Sequence, residues 1–173
     1  MCKGSKHQGE ITGGGKQCCC VALVFVSSIT LQNTTDVDRF LELGTSLSQN
    51  RCRHGGYMLT QELEGEVELD NKTIITTMGN PISGTVLQRQ DNEDALILTL
   101  ESAVSKVLKE TSKFFLPVGN SPGSTIGVKY ENKQFTVMDS HSRDNKGMCL
   151  SLIHISEPTR PLYISYAVFC LKK

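Results

Sequence analysis

The order of patterns along the chain predicts an α+β fold, with N-terminal helices packed on an antiparallel sheet and a cleft where the two layers meet. Three observations carry this. From Cys18 to Ile29 a segment of more than ten residues is apolar on all sides apart from Ser27 and Ser28, a second segment near Val37 has helical periodicity, and beyond Tyr57 short β-rich runs are separated by turn residues. At 173 residues the chain fits one domain with a substantial core.

Residues 1–16 are rich in charge and glycine, end in Gly13-Gly14-Gly15, and read as a flexible lead-in. The apolar segment from Cys18 suits a buried helix or a buried strand, and its length favours the helix. Thr35 or Asp36 is placed to cap a second helix through Leu47, with Val37, Phe40, Leu41 and Leu47 as its apolar stripe. Asp36 and Asp38 stand at the positive end of its dipole. Arg51 to Gly56 reads as a solvated loop. Tyr57-Met58-Leu59, Glu66 to Leu69 and Thr73 to Thr76 have β character, broken at Asp70-Asn71 and Gly79-Asn80-Pro81. Alternation over Glu66 to Leu69 predicts one wet face. Leu96 to Lys109 returns to helical spacing, with Leu100, Ala103, Val104, Val107 and Leu108 on one side. Three strands then follow at Phe114–Val118, Thr125–Tyr130 and Gln134–Ser140, the last two joined through Glu131-Asn132-Lys133.

The last stretch reads differently. Leu150 to Arg160 closely resembles the conceptual translation of a transposase-type sequencing adapter, and Ile164 to Leu171 resembles its flow-cell end. Residues 150–173 are therefore taken as a non-native, adapter-derived tail and residues 1–149 as a C-terminally truncated domain. Tyr163 to Leu171 nevertheless has strong β character.

Composition narrows the function. Lys plus Arg and Asp plus Glu are equal at 18 each, which gives no electrostatic reason for a nucleic-acid or anionic-membrane partner. The longest apolar run, Cys18 to Val26, is far too short to cross a bilayer. Seven cysteines, three of them adjacent, and no opening signal segment point to a reducing compartment, cytoplasmic or nuclear.

The chemistry gathers at two places. In the run Phe135 to Arg143, Asp139 and His141 are two residues apart, so an extended strand would put them on one face, roughly 7 Å apart from Cα to Cα. An aspartate on one imidazole nitrogen fixes the tautomer and leaves the other as a general base. Cys18, at the start of a helix, is a candidate nucleophile, since the dipole and free N–H groups stabilise a thiolate there. Cys19 and Cys20 are expected to be buried core thiols. A zinc site using His7 is disfavoured, because adjacent thiolates do not easily take separate tetrahedral corners and no Cys-x-x-Cys spacing exists. No cofactor or metal is expected. Ser142 and Arg143 are expected to cap the strand exit.

The pieces His7-Gln8-Gly9, Gly15-Lys16-Gln17-Cys18, Val21-Ala22-Leu23-Val24-Phe25, Ser83-Gly84, Leu100-Glu101-Ser102-Ala103 and Phe135 to Arg143 stand in one order. Together they resemble the deubiquitinating cysteine-peptidase domain of the herpesvirus large tegument protein. The resemblance implies a papain-like fold, with Cys18 as nucleophile, His141 as base, Asp139 as its orienter and Gln8 lending an amide to the oxyanion hole. It also implies ubiquitin or ubiquitin-like conjugates as partners, cleaved after the ubiquitin C-terminus. Two departures are visible: Cys19 and Cys20 follow the nucleophile, and the tail replaces the family's strand beyond the Asp-Ser-His hairpin, which leaves a sheet edge open. The alternative is a catalytically inactive ubiquitin-binding or structural domain on the same scaffold. Oligomeric state is not legible.

Overall fold

The structure, a computed structural model, describes residues 2–11, 15–28, 34–52, 56–85, 98–118, 124–141, 150–153 and 165–172. Its layers are those expected: helix α1 (Cys18–Ser27) and helix α2 (Thr34–Arg51) against an antiparallel sheet, with a third helix, α3 (Leu100–Leu108), on its other side. The strands are β1 (Cys2–Lys3), β2 (Gly65–Leu69), β3 (Lys72–Met78), β4 (Ile82–Thr85), β5 (Leu98–Thr99), β6 (Lys113–Val118), β7 (Ser124–Glu131), β8 (Gln134–Asp139), β9 (Leu150–Ile153) and β10 (Ser165–Lys172). They run in the order β1-β9-β8-β7-β6-β10-β3-β2, with β4 on β10 and β5 on β4. Only the β4–β5 pair is parallel among the described strands.

Helix α1 is buried from Cys18 through Val26, which is why its sequence shows no polar face. It is held on two sides by glycines. A Cβ at Gly44 of α2 would lie 2.6 Å from the Val21 Cα, and one at Gly127 of β7 would lie 2.8 Å from Phe25 Cδ1 and 3.1 Å from the Ala22 carbonyl oxygen. At its C-terminal end the buried Lys129 donates to the Ser28 carbonyl (2.5 Å) and hydroxyl (3.0 Å), with its ammonium over the Phe25 ring. A cation there complements the helix dipole and satisfies a terminal carbonyl. Burial, helped by Lys113 on the neighbouring strand and opposed by Glu131, pulls the Lys129 pKa down to about 8.

Alternation along β7 serves two cores. Thr125, Gly127 and Lys129 meet α1, whereas Ile126 and Val128 pack with Ala103 and Val107 of α3. The turns are sharper than the sequence reading drew them: Asp70 and Asn71 have φ of 51° and 61°, and Asn132 and Lys133 have 53° and 60°. Two consecutive left-handed residues make the two-residue turn whose twist suits a hairpin. The wet face of β2 is also present, with Glu66 and Glu68 exposed and Val67 and Leu69 buried.

Several local expectations are corrected. Tyr57-Met58-Leu59 is not a strand. The Glu62 carboxylate takes the Leu59 N–H at 2.6 Å and starts a 3₁₀ turn at Thr60–Leu63, so that N–H is not offered to a neighbouring strand. Helix α2 runs one turn past Leu47, because Leu47 and Ser48 are buried and Arg51 donates to the Glu62 and Glu66 carbonyls. Helix α3 begins at Leu100, where the Thr99 hydroxyl accepts from Ser102 N–H, rather than at Leu96. Strand β4 had no clear signal after Gly79-Asn80-Pro81. The proposed cap at Thr35 or Asp36 fails, since α2 starts at Thr34 and its preceding residues lie outside the described ones. Gly13-Gly14, Arg53-His54, Ser142 and Arg143 also lie outside them.

The edge expected to be open beyond β8 carries β9, with Asp139 opposite Leu150, while β10 pairs with β3, β4 and β6. Strand β9 covers the β8 edge, whereas β10 lies inside the order, joining β6 to β3 and β4; backbone pairing does not depend on a segment's origin.

Glycine at position 44 is a steric requirement, because the clash is with backbone. Gly44→Ala is expected to lower the urea midpoint by an amount equivalent to about 1–3 kcal/mol with an unchanged slope. Gly56, exposed with nothing within 4 Å of a built Cβ, supplies the control, and Gly56→Ala should leave the midpoint in place.

Candidate active site

Strand β8 ends at Asp139, and the Asp139 carboxylate explains why. Its Oδ1 accepts from the His141 backbone N–H at 3.0 Å and lies 2.7 Å from His141 Nδ1. An aspartate bonding the N–H two residues on is an Asx turn. The carboxylate and the ring therefore meet through a turn at the strand end, not as same-face neighbours of an extended strand. With Nδ1 held as a donor to the carboxylate, Nε2 is the ring nitrogen left for chemistry.

That imidazole engages Cys18. A hydrogen bond between Cys18 and His141 shifts both groups, and it lies at the N-terminus of α1, where free N–H groups favour an anion. The Cys18 thiol is lowered to about 4. The hydrogen bond from Cys19 is the largest cause; burial opposes it, and His141 and the Thr125 backbone N–H act in the same direction as Cys19. For His141, burial disfavours the imidazolium, but the bonds to Asp139 and Cys18 outweigh that and raise it to about 9. A group lowered to about 4 is ionised above that pH, and a base raised to about 9 is protonated below it. The two are charged together across the window between.

The neighbouring thiols behave otherwise. Cys19 is held protonated, well above the usual thiol range, by its hydrogen bond to Cys18 and by burial. Its sulfur lies 3.1 Å from Thr125 Oγ1. Either atom of that pair can donate, since a thiol and a hydroxyl each carry one proton and lone pairs. Cys20, against Met58 Sδ at 3.6 Å, is pushed up to about 12, mainly by burial and then by the Cys18 charge. Both are the core thiols the sequence reading took them to be.

Gln8 comes to the same end of the sheet. It lies in the 3₁₀ turn Gln8–Glu10, which His7 caps: the Gly9 N–H donates to His7 Nδ1 at 3.1 Å, and Glu10 accepts from the His7 N–H. His7 is spent on this turn, with its Nε2 3.6 Å from Glu10 Oε1, and is not joined to the cysteines. The Gln8 N–H donates to the Ser140 carbonyl at 3.1 Å, its Oε1 accepts from Ser140 Oγ at 2.8 Å, and its Nε2 donates to the Gly15 carbonyl at 3.2 Å. Gln17, just before Cys18, is 1% exposed, and neither polar atom of its carboxamide has a partner among the described residues. Chemically, a buried thiolate beside an imidazolium can attack a carbonyl, and free N–H groups at a helix start can stabilise the oxyanion that forms.

The structure thus joins Cys18, His141 and Asp139 and ties Gln8 to the same strand end through Ser140. Ser140 and Thr125 were missed. Ser140 lay inside the motif but read as a spacer between two ionisable residues. Thr125 is 106 residues from Cys19, and nothing in the local sequence distinguishes it from any strand threonine.

No family model matches the chain, and no curated protein does. Among solved structures it is similar to the ubiquitin-specific protease encoded by a murine cytomegalovirus tegument protein, crystallised with a ubiquitin-based suicide substrate. The TM-score is 0.74 at 16% sequence identity, over 99% of this chain and 86% of that one. The likeness shows the fold: helices and an antiparallel sheet in a papain-like arrangement.

The charge window has a direct readout. Alkylation of Cys18 by iodoacetamide should be nearly independent of pH from about 5 to 8 and fall only as pH approaches about 4. In His141→Ala the inflection should move up to the free-thiol region near 8.5 or above. Cys19→Ala should also move it up toward that region, because the Cys19 hydrogen bond is the largest cause holding the thiol down. Profiles that superimpose for all three would separate Cys18 from both neighbours.

Proposed function

We propose that the chain is a cysteine peptidase of deubiquitinating type, which cleaves after a ubiquitin C-terminus. The observation that carries the reaction class is the linked set Asp139, His141 and Cys18 at the N-terminus of a buried helix. The substrate class is supported by the similar structure, whose ligand is ubiquitin-based.

In this reading the Cys18 thiolate adds to the scissile carbonyl, and the oxyanion is met by the Cys18 N–H and a Gln8 N–H. His141 passes its proton from Nε2 to the departing amine, the C–N bond breaks, and a thioester is left on Cys18. A water, deprotonated by the now neutral imidazole, adds to the thioester; collapse releases the ubiquitin carboxylate and restores the ion pair. Asp139 holds the ring through both halves. The reading places this chemistry in residues 1–149 and takes residues 150–173 as an appended, adapter-derived segment. A chain ended at Cys149 is then expected to keep Cys18 reactivity, and loss of folding on that truncation would make the segment integral.

A ubiquitin bearing a C-terminal electrophile should form one covalent adduct with the natural sequence and none with Cys18→Ala. Hydrolysis of a ubiquitin C-terminal amide should fall by about 10²–10⁴-fold in His141→Ala, the usual worth of a general base. Asp139→Asn should also turn over slowly, yet still form the adduct. Binding of ubiquitin without any adduct would mark the chain as a silent ubiquitin-binding domain instead.

A further inference from the structure

Gln8 and Ser140 form a lock whose parts determine one another. The Gly15 carbonyl can only accept, so the Gln8 atom facing it at 3.2 Å must be the amide nitrogen. The other end of the carboxamide is then its oxygen, which faces Ser140 Oγ at 2.8 Å, so the hydroxyl must donate. The Gln8 backbone N–H closes the lock on the Ser140 carbonyl. Both residues are buried, at 3% and 1% exposure, so water does not replace a bond that is lost.

The placement of this lock is informative. Ser140 stands between Asp139 and His141, and Gly15, in the left-handed conformation at φ 78°, opens the short turn into Cys18. The carboxamide thus spans the base-bearing strand and the approach to the nucleophile. Of the two hydrogens on its nitrogen, one is used on Gly15 and the other has no acceptor among the described residues.

We propose that Ser140 is a positioning residue for acyl transfer: its hydroxyl fixes the rotation of the Gln8 carboxamide and so presents the second N–H to the developing oxyanion. This rests on the acyl-transfer reading above and not on its ubiquitin part. Without the hydroxyl, the Gln8 oxygen is buried without that partner, and the carboxamide can turn about its terminal torsion, which is broad. The N–H then loses its aim while the thiolate and imidazolium keep theirs.

Two reagents separate these roles. Acylation of Cys18 by p-nitrophenyl acetate passes through an oxyanion; alkylation by iodoacetamide displaces iodide at a saturated carbon and forms none. Ser140→Ala is expected to slow acylation by about 10- to 10²-fold, short of the about 10²–10³-fold for removing a donor outright. Its alkylation rate and pH profile should match the natural sequence. Gln8→Ala should slow acylation at least as much, and the double variant should be no slower than Gln8→Ala alone, because Ser140 then has no carboxamide to orient. Ser140→Thr, which keeps the hydroxyl, should acylate close to the natural rate.

Unchanged acylation in Ser140→Ala, equal slowing with both reagents, or equal slowing in the Ala and Thr variants would overturn the proposal. No acylation of the natural sequence would overturn it together with the acyl-transfer reading. A Ser140-dependent acylation with no adduct from the ubiquitin electrophile would instead leave it standing and remove ubiquitin as the substrate.

Discussion

The structure depends on one helix being buried on every side with a charged atom at its tip. Helix α1 can be enclosed because Gly44 lets α2 approach its backbone and Gly127 lets β7 approach Phe25 and Ala22. Enclosure alone would be hostile to the chemistry, since burial raises the pKa of a thiol. The fold answers at both ends of the helix. At the C-terminal end, Lys129 donates to Ser28, so a buried cation meets the negative pole of the dipole. At the N-terminal end, Cys19, His141 and the Thr125 N–H together outweigh the desolvation of Cys18.

The Asp139-Ser140-His141 motif concentrates three separate tasks in three consecutive residues. Asp139 ends the strand and orients the ring through one carboxylate oxygen. Ser140 points to Gln8 and joins the N-terminal turn to the sheet. His141 is left half-buried, turned toward Cys18. A turn at this point is needed because strict strand alternation would keep Asp139 and His141 on the side of Phe135 and Val137, which pack in the α3 core. Met138, on the other side, packs with α1. The Asx turn is what frees the imidazole from the strand's alternation and lets it face the helix.

Features set by local pattern could be read from the sequence, and features set by distant contacts could not. The all-apolar run from Cys18 and the stripe of Val37, Phe40, Leu41 and Leu47 state burial directly, so α1 and α2 were legible. The Asp70-Asn71 break was legible for the same reason. Tyr57 to Leu59 misled because β propensity says nothing of Glu62 capturing the Leu59 N–H. Strand β4 was invisible because its partners β5 and β10 are remote in sequence. At the site, Asp139 and His141 could be paired from their spacing, although a turn and not strand alternation brings them together. Cys18 needed the helix start and the family likeness together. Thr125 and the role of Ser140 exist only once β7, β8 and the N-terminal turn are assembled.

The cysteine triplet shows why composition could not choose the nucleophile while helix geometry can. Successive residues on a helix point about 100° apart, so three identical side chains enter three different environments. Cys18 meets His141 and the Thr125 N–H and is lowered to about 4. Cys19 turns to the Thr125 hydroxyl and keeps its proton by giving a hydrogen bond to Cys18. Cys20 points to Met58, where burial and the nearby Cys18 charge push it to about 12. The anion on Cys18 itself raises the cost of ionising the other two. Selectivity within the triplet therefore needs no difference in residue type; it follows from one helical turn placed against one strand end, and from the first thiolate suppressing its neighbours.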